Sequence, residues 1–229
     1  MKYSIIIPVY NEGKNILKLS HLIKKNLKNK IYEVIFVDDN SNDNSKDESK
    51  KIKFKNFKYF IRKKKKDLSE SCIDGIKLSK FNNIVIMDGD LQHQPSCLFK
   101  MMNEYEKKKP NILVGTRNFK NLKGLHFMRK IMSLFLIFLI NIFLKKKTND
   151  PMSGFFIIQK RLFYRIENRL YKKGFKILTD IIYSSNKINI IDLSINFQKR
   201  KKNKSKMSLK ILFHILILIL SKKINTFTF

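Results

Sequence analysis

An apolar run, Ile84-Val85-Ile86-Met87, ends abruptly in Asp88-Gly89-Asp90, with an amide two positions further on at Gln92. Residues i and i+2 of an extended chain share a face, so the two carboxylates can point the same way. Hard divalent cations such as Mg²⁺ and Mn²⁺ take oxygen ligands and commonly share them with substrate phosphates. A buried strand with this tip would hold a cation beside a diphosphate, which points to an enzyme acting on a diphosphate-linked donor. Taken alone, Asp-x-Asp is also what a strand-ending turn of solvated acids looks like. Two other strand-like runs end in polar clusters of the same kind. Tyr3–Val9 leads into Asn11-Glu12-Gly13, and Ile31–Val37 into Asp38-Asp39-Asn40-Ser41.

Such clusters need a scaffold, and the first 117 residues alternate strand and helix signals. Helix-like Lys14–Leu27 follows the first run, and polar, helix-like Asn42–Lys53 follows the second. Phe57–Ile61 reads as a third strand and Asp67–Leu78 as a helix capped by its aspartate. Asn83–Met87 is a fourth strand, Ser96–Lys107 another capped helix, and Ile112–Gly115 a fifth strand. This alternation predicts an α/β domain whose parallel sheet is covered on both faces. Ligands of such sheets bind beyond the carboxyl ends of the strands, where the polar clusters fall.

Composition narrows the partners. The 229-residue chain fits one large domain, or a domain with an appendage, and 43% hydrophobic residues suffice for a core. A formal net charge of +31, from 49 Lys and Arg against 18 Asp and Glu, seeks nucleic acid, anionic lipid or phosphorylated substrates. Nucleic acid is disfavoured: no helix-turn-helix, zinc or single-strand-binding motif is present, and the strand tips are acidic. Cys72 and Cys97 form no metal or redox motif and read as free thiols of a reducing compartment. The apolar run after Met1 is too short for a signal peptide and meets Pro8, so a cytosolic-side location is expected.

The second half changes character. Ile131–Leu144 is nearly all apolar and flanked by Arg129-Lys130 and Lys145-Lys146-Lys147; Leu209–Leu220 follows a basic run and precedes Lys222-Lys223. Both fall short of the roughly 18–20 residues that span a bilayer. Basic flanks on short apolar helices fit helices lying in the headgroup region. A buried core helix is the alternative for the first. Membrane contact is favoured for the second, which has little chain left to pack against.

Taken in order, the motifs resemble those of family-two glycosyltransferases, specifically the dolichol-phosphate mannosyltransferase branch. They are Ile6-Ile7-Pro8-Val9-Tyr10-Asn11-Glu12, Val37–Asp43, Leu68-Ser69 through Asp74-Gly75, Met87–His93 and Gly115-Thr116-Arg117. Asp150-Pro151-Met152-Ser153-Gly154-Phe155-Phe156, Lys173-Gly174-Phe175-Lys176 and the run Phe197–Lys206 complete the series. Each is weak alone; their order and spacing carry the resemblance, from about residue 3 to about residue 210.

The resemblance implies a GT-A (nucleotide-diphospho-sugar transferase) fold with a mostly parallel sheet flanked by helices and with amphipathic membrane-interface helices. It implies one transferase domain over residues 1–206, including an interfacial helix at about 124–145, and a C-terminal apolar and basic helix with its tail over 207–229. The activity implied is transfer of a sugar, with inversion, from a nucleotide donor to a polyprenyl phosphate. GDP-mannose and a dolichyl-type phosphate are the expected pair. A UDP-sugar (glucose or N-acetylglucosamine) with undecaprenyl phosphate or a glycan acceptor is the alternative.

By their matching positions, Pro8, Tyr10, Glu12, Val37 and Asp39 would hold the nucleoside. Asp88, Asp90 and Gln92 would hold Mg²⁺ or Mn²⁺, with Gly89 beside the diphosphate. Arg117, Arg200 and Lys206 would contact phosphates, and Asp90 and Arg117 would carry the catalytic electrostatics. Arg129 and Ser133 would meet the acceptor phosphate, a softer transfer from the family pattern. Asp150 would shape the site without acting as a base, because a phosphate acceptor is already ionised. His93 reads as structural.

Departures from the pattern are Gly89 in place of the usual Ala, expected to be harmless, and Asn203 where the basic loop usually has Gly. Residues 62–68 also lack the family's usual glycines. With no complete transmembrane pair after residue 206, a peripheral protein on the cytoplasmic face of a membrane is expected. That leaves room for a small membrane-anchoring subunit.

Overall fold

The computed structural model describes residues 1–117, 127–174, 176–196 and 209–226. Its centre is a seven-stranded sheet: β1 (Lys2–Val9), β2 (Ile31–Asp38), β3 (Phe57–Ile61), β4 (Asn83–Ile86), β5 (Ile112–Arg117), β6 (Phe156–Gln159) and β7 (Ile190–Ile195). The spatial order is β3-β2-β1-β4-β6-β5-β7. Strands β1 to β4 are mutually parallel, β5 and β7 are parallel to each other, and β6 is antiparallel to both β4 and β5. The five expected strands are present, with ends shifted by no more than two residues. Strands β6 and β7 were not anticipated.

Both faces of the sheet are covered, as continuous apolar strands require. In β1 the side chains of Tyr3, Ile5, Ile7 and Val9 join one core with α1 (Gly13–Asn26) and α4 (Ser96–Lys108). Ile6 faces the other way, with Cys72, Ile73 and Ile76 of α3 (Leu68–Leu78) and residues of α6 (Lys160–Ile166) and α7 (Ile177–Ser184). The helix expected over Asn42–Lys53 is shorter, α2 (Ser45–Lys50). The Asp43 carboxylate accepts hydrogen bonds from the backbone N–H groups of Ser45, at 3.0 Å, and Gly13, also at 3.0 Å, which fixes the entry to α1 and α2 together. Asp67 does cap α3, accepting from Glu70 N–H at 3.2 Å. Ser96 does not cap α4; its hydroxyl donates instead to Gln94. Both cysteines are free thiols.

The two apolar stretches form α5 (Phe127–Leu144) and α8 (Leu209–Thr226). Leu136, Ile137 and Ile140 of α5 pack on Ile215 and Ile219 of α8 and on Met152. These α5 positions recur at helical spacing, so one stripe of α5 is core. Phe135, Phe138, Ile142 and Phe143 lie exposed elsewhere around the helix. Core helix and apolar exposed helix are thus two faces of one element.

The expectation that the C-terminal helix has little to pack against is corrected. Besides that cluster, Lys222 is buried and lies 2.6 Å from Asp180 of α7, while donating to Arg169 O and Ser184 Oγ, each at 2.7 Å. Lysine is rarely fully buried unless paired, so this contact fixes the seat of α8. Among the described residues no helix is long and apolar enough to cross a membrane.

Candidate active site

Because β1, β2, β4 and β5 run in one direction, their carboxyl ends meet at one edge of the sheet. The antiparallel β6 brings its amino end, and the segment 148–155 before it, to that same edge. Three tips turn through left-handed backbone at non-glycine residues: Asn11 (φ 55°), Asn40 (φ 60°) and Leu91 (φ 61°). Asparagine tolerates this conformation; a bulky apolar leucine rarely adopts it, and such strain concentrates at functional sites.

On the β4 tip, Asp88 and Asp90 are both partly exposed. The Gln92 N–H donates to Asp90 Oδ1 at 3.1 Å, and the Gln92 side chain is buried. His93, which sequence reasoning left without a role, places Nε2 3.4 Å from Asp88 Oδ2 and packs its ring against Phe155. Burial opposes ionisation of Asp88, but His93, Lys176 and Arg117 more than offset it and hold the carboxyl below its ordinary range. Gly154 makes room for this carboxylate: a Cβ there would stand 2.3 Å from Asp88 Oδ2.

Gly89 fits its surroundings, since a Cβ at that position would meet Val9 Cγ1 at 2.7 Å. In this chain the valine fills the space a methyl group would take. Lys176, delivered by the Lys173–Lys176 segment, donates to Met152 O at 3.4 Å and adds positive charge beside Asp88.

The donor set of Asp88, Asp90 and Gln92 is oxygen only. Among the described residues no three His, Cys, Asp or Glu side chains are grouped to hold a metal by themselves. An ion here would complete its shell with water and substrate phosphate oxygens, which is the usual situation of Mg²⁺. The residues therefore fit a hard cation shared with a substrate.

Arg117 ends β5 and is held by Asp150 in a fork. Nε donates to Oδ2 and Nη2 to Oδ1, both at 2.7 Å, and the Arg117 backbone N–H adds a third bond at 3.2 Å. Asp150 is fully buried, so this is a desolvated, bidentate pair. The charge of Asp150 outweighs the burial that would favour neutral Arg117. Asp150 is thereby the residue that fixes the Arg117 guanidinium.

The β1 and β2 tips form the neighbouring region. Pro8 pairs in register with Val37, whose side chain is fully buried against α3, so any contact with a ligand would come from its backbone. The Asp39 carboxylate is paired with Arg62 rather than left open. Arg62 is 1% exposed and also meets Glu70 and, at 2.8 Å, Asp74. Burial pushes the Asp39 carboxyl up, against the pull of Arg62.

Tyr10 does present a ring face, but Lys66 Nζ sits over it, 3.2 Å from the centroid. Glu12 is buried; its carboxylate accepts from Asn15 at 2.7 Å and its carbonyl starts α1. Ser133 is buried within α5. Arg200, Lys206 and the Arg129 side chain lie outside the described residues.

Sequence reasoning gave no role of their own to Arg62, Gly154 and Lys176, and read His93 as structural. A signal existed for the first: Glu70 and Asp74, four residues apart on α3, share a face that calls for a cation.

The fold has solved counterparts. A structure of glucosyl-3-phosphoglycerate synthase from Mycobacterium tuberculosis, in complex with Mn²⁺, UDP-glucose and phosphoglyceric acid, superposes with a TM-score of 0.76. The match covers 97% of this chain and 79% of that one at 13% identity, a likeness of fold. Dolichol-phosphate mannosyltransferase of Pyrococcus furiosus is 34% identical over 221 residues, which is 94% of this chain and 62% of the relative. The chain thus spans less than two thirds of that relative's length. Dolichol-phosphate mannosyltransferase of Saccharomyces cerevisiae is 28% identical over 94% of this chain and 85% of its own. The description Glycosyl transferase family 2 matches residues 4–167, the stretch that carries β1 to β6 and the Asp88, Arg117 and Asp150 cluster; the chain belongs to that family.

Proposed function

We propose that the protein is an inverting glycosyltransferase that moves mannose from GDP-mannose onto a polyprenyl phosphate of the dolichyl type at a membrane surface. The single observation that carries this reading is the pairing at one sheet edge of an oxygen-only acidic tip, Asp88-Gly89-Asp90, with the buried Arg117–Asp150 fork. Partly exposed carboxylates beside a fixed guanidinium suit a nucleoside diphosphate, whose charge grows as it leaves. The relatives named dolichol-phosphate mannosyltransferase support mannose and the lipid acceptor. The Mn²⁺ of the mycobacterial structure supports the cation.

Asp88, Asp90 and Gln92 would hold Mg²⁺ or Mn²⁺, and the chemistry this ion supplies is charge neutralisation on the departing diphosphate. His93 fixes one Asp88 oxygen, and Arg117 presents its guanidinium from β5, on the far side of β6. Pro8, Tyr10, Glu12, Asp39 and the Val37 backbone would seat the nucleoside, with Lys66 moving off the Tyr10 ring or accompanying the base. Arg200 and Lys206 would close over the diphosphate. Arg129 and Ser133 would lie towards the acceptor phosphate.

An ionised phosphate oxygen attacks the sugar's anomeric carbon as the nucleoside diphosphate departs from the opposite face. This inverts the configuration and needs no strong base. Catalysis is then positioning and electrostatics. The exposed phenylalanines of α5 would rest in the headgroup region, on the cytoplasmic face.

The test is transfer of radiolabelled mannose from GDP-mannose to dolichyl phosphate in mixed micelles, with Mn²⁺ or EDTA, beside Asp90→Ala. The expected outcome is a metal-dependent lipid-linked product that falls by about 100-fold or more in the variant. Product formed equally well by the variant would refute the metal site. Product formed from UDP-glucose or UDP-N-acetylglucosamine instead would reassign the donor.

A further inference from the structure

We propose that Asp192 of β7 is a positioning residue for Arg117, acting through residues 148–150. This rests on the reading of Arg117 as a diphosphate contact.

Strand β7 reads Ile190-Ile191-Asp192-Leu193-Ser194-Ile195, and Asp192 pairs in register with Val114, three residues before Arg117 on β5. Aspartate is depleted in strands, and nothing in the ladder calls for one here. Its carboxylate is used elsewhere. Oδ1 accepts from Thr148 Oγ1 at 2.5 Å; Oδ2 accepts from the Asn149 backbone N–H at 2.8 Å and from the Asn149 side-chain amide at 2.7 Å. The Thr148 hydroxyl, with its proton committed to Asp192, is left as an acceptor for the Asp150 backbone N–H at 3.3 Å. Asp150 then grips Arg117 at Nε and Nη2.

Every proton along this path points one way, from Arg117 back to Asp192. A carboxylate accepts only, so Asp192 sets the polarity of the path as well as its position. At the other end of the segment, Ser153 Oγ donates to Gly115 O at 2.7 Å, pinning it to β5 again. The fork therefore stands on three adjacent strands, β6, β5 and β7. Displacement of a positioned group by about 1 Å can cost about 100-fold in rate.

A purely structural clamp would lower stability and leave turnover per folded molecule alone. The test therefore reads turnover and the state of Arg117 separately. Full-length Asp192→Ala and Asp192→Asn are assayed with GDP-mannose and dolichyl phosphate. The Arg117 Nε–H signal is followed by ¹⁵N NMR, assigned by its loss in Arg117→Lys. Thr148→Val, which removes the hydroxyl alone, is carried through the same assays in case Asp192→Ala does not fold.

The expected result is a fall in kcat of about 10-fold to 100-fold in Asp192→Ala with donor KM little changed. Asp192→Asn, which keeps one acceptor oxygen, should recover part of the rate. The Arg117 signal should lose its exchange protection in Asp192→Ala, and Asp192→Ala should cost nothing further in an Arg117→Lys background. An unchanged Arg117 signal, or losses that simply add in the double variant, would overturn the proposal. If the wild type transfers no sugar from any donor, the functional reading fails, and the NMR result still decides the positioning role.

Discussion

The two halves of the site solve opposite electrostatic problems. At the β1 and β2 tips one buried cation, Arg62, serves three carboxylates, those of Asp39, Glu70 and Asp74. At the β4 and β5 tips one buried carboxylate, Asp150, is spent wholly on one cation, Arg117, while Asp88 and Asp90 stay partly exposed. The first half is a closed cluster in which three carboxylates share one guanidinium, beside the proposed nucleoside seat. The second keeps Asp88 and Asp90 partly exposed, as the proposed cation arriving with a diphosphate would need.

Removing the cation of the first half should have the largest effect. Arg62→Met strands the buried Asp39 carboxylate with the partly exposed Asp74 and Glu70 beside it, and is expected to cost roughly 3–5 kcal/mol. Thermal unfolding should show this as a fall of roughly 10 °C for a chain of this size. A variant that melts with the wild type would mean that the cluster does not need its arginine.

In the second half, Gly154→Ala should act on chemistry instead. The new methyl group would displace the Asp88 carboxylate, and kcat/KM should fall by about 100-fold while the melting temperature moves little. Mn²⁺ titration followed by EPR gives a reading of the same site without turnover, and unchanged Mn²⁺ affinity together with full activity would contradict the assigned geometry.

A carboxylate remote from the site sharpens the contrast. Glu33 sits near the amino end of β2, where burial would raise its pKa. Lys58, Ser4 and the Lys80 N–H more than offset this and hold it below the ordinary 4.5. A depressed folded value means that its stabilisation is present above pH 4.5 and is lost as the pH falls through the folded value. Glu33→Gln should cost about 1 kcal/mol at neutral pH and flatten the acid limb of urea-unfolding stability. An acid limb of unchanged steepness would show that other groups dominate it.

The strand tips of the first half were legible in the sequence because they are local. Each tip is an apolar run meeting a polar cluster, and β3 was placed to the residue. The second half was legible as residues but not as an arrangement. Phe156–Gln159 is four residues long, and a period-two pattern is the same in parallel and antiparallel strands, so nothing local announces that β6 runs against its neighbours. Asp192 breaks the apolar pattern that would have revealed β7. Arg62 stands beside four lysines and is distinguished only by the acids waiting on α3. The seat of α8 depends on Lys222, which composition alone would leave in solvent.

The placement of β6 also has a consequence for how the chain is made. Ile86 of β4 pairs with Phe156, so seventy residues must leave the ribosome after β4 before its partner exists. Until then β1 to β4 can assemble, but Ile84-Val85-Ile86 remains an open apolar edge in the middle of the future sheet. Non-local pairing of this kind is slow, and open edges are where nascent chains join the wrong neighbour. The strand that brings Gly154 to Asp88 and Asp150 to Arg117 is thus also the one whose late arrival sets how long an apolar strand edge stays unpaired.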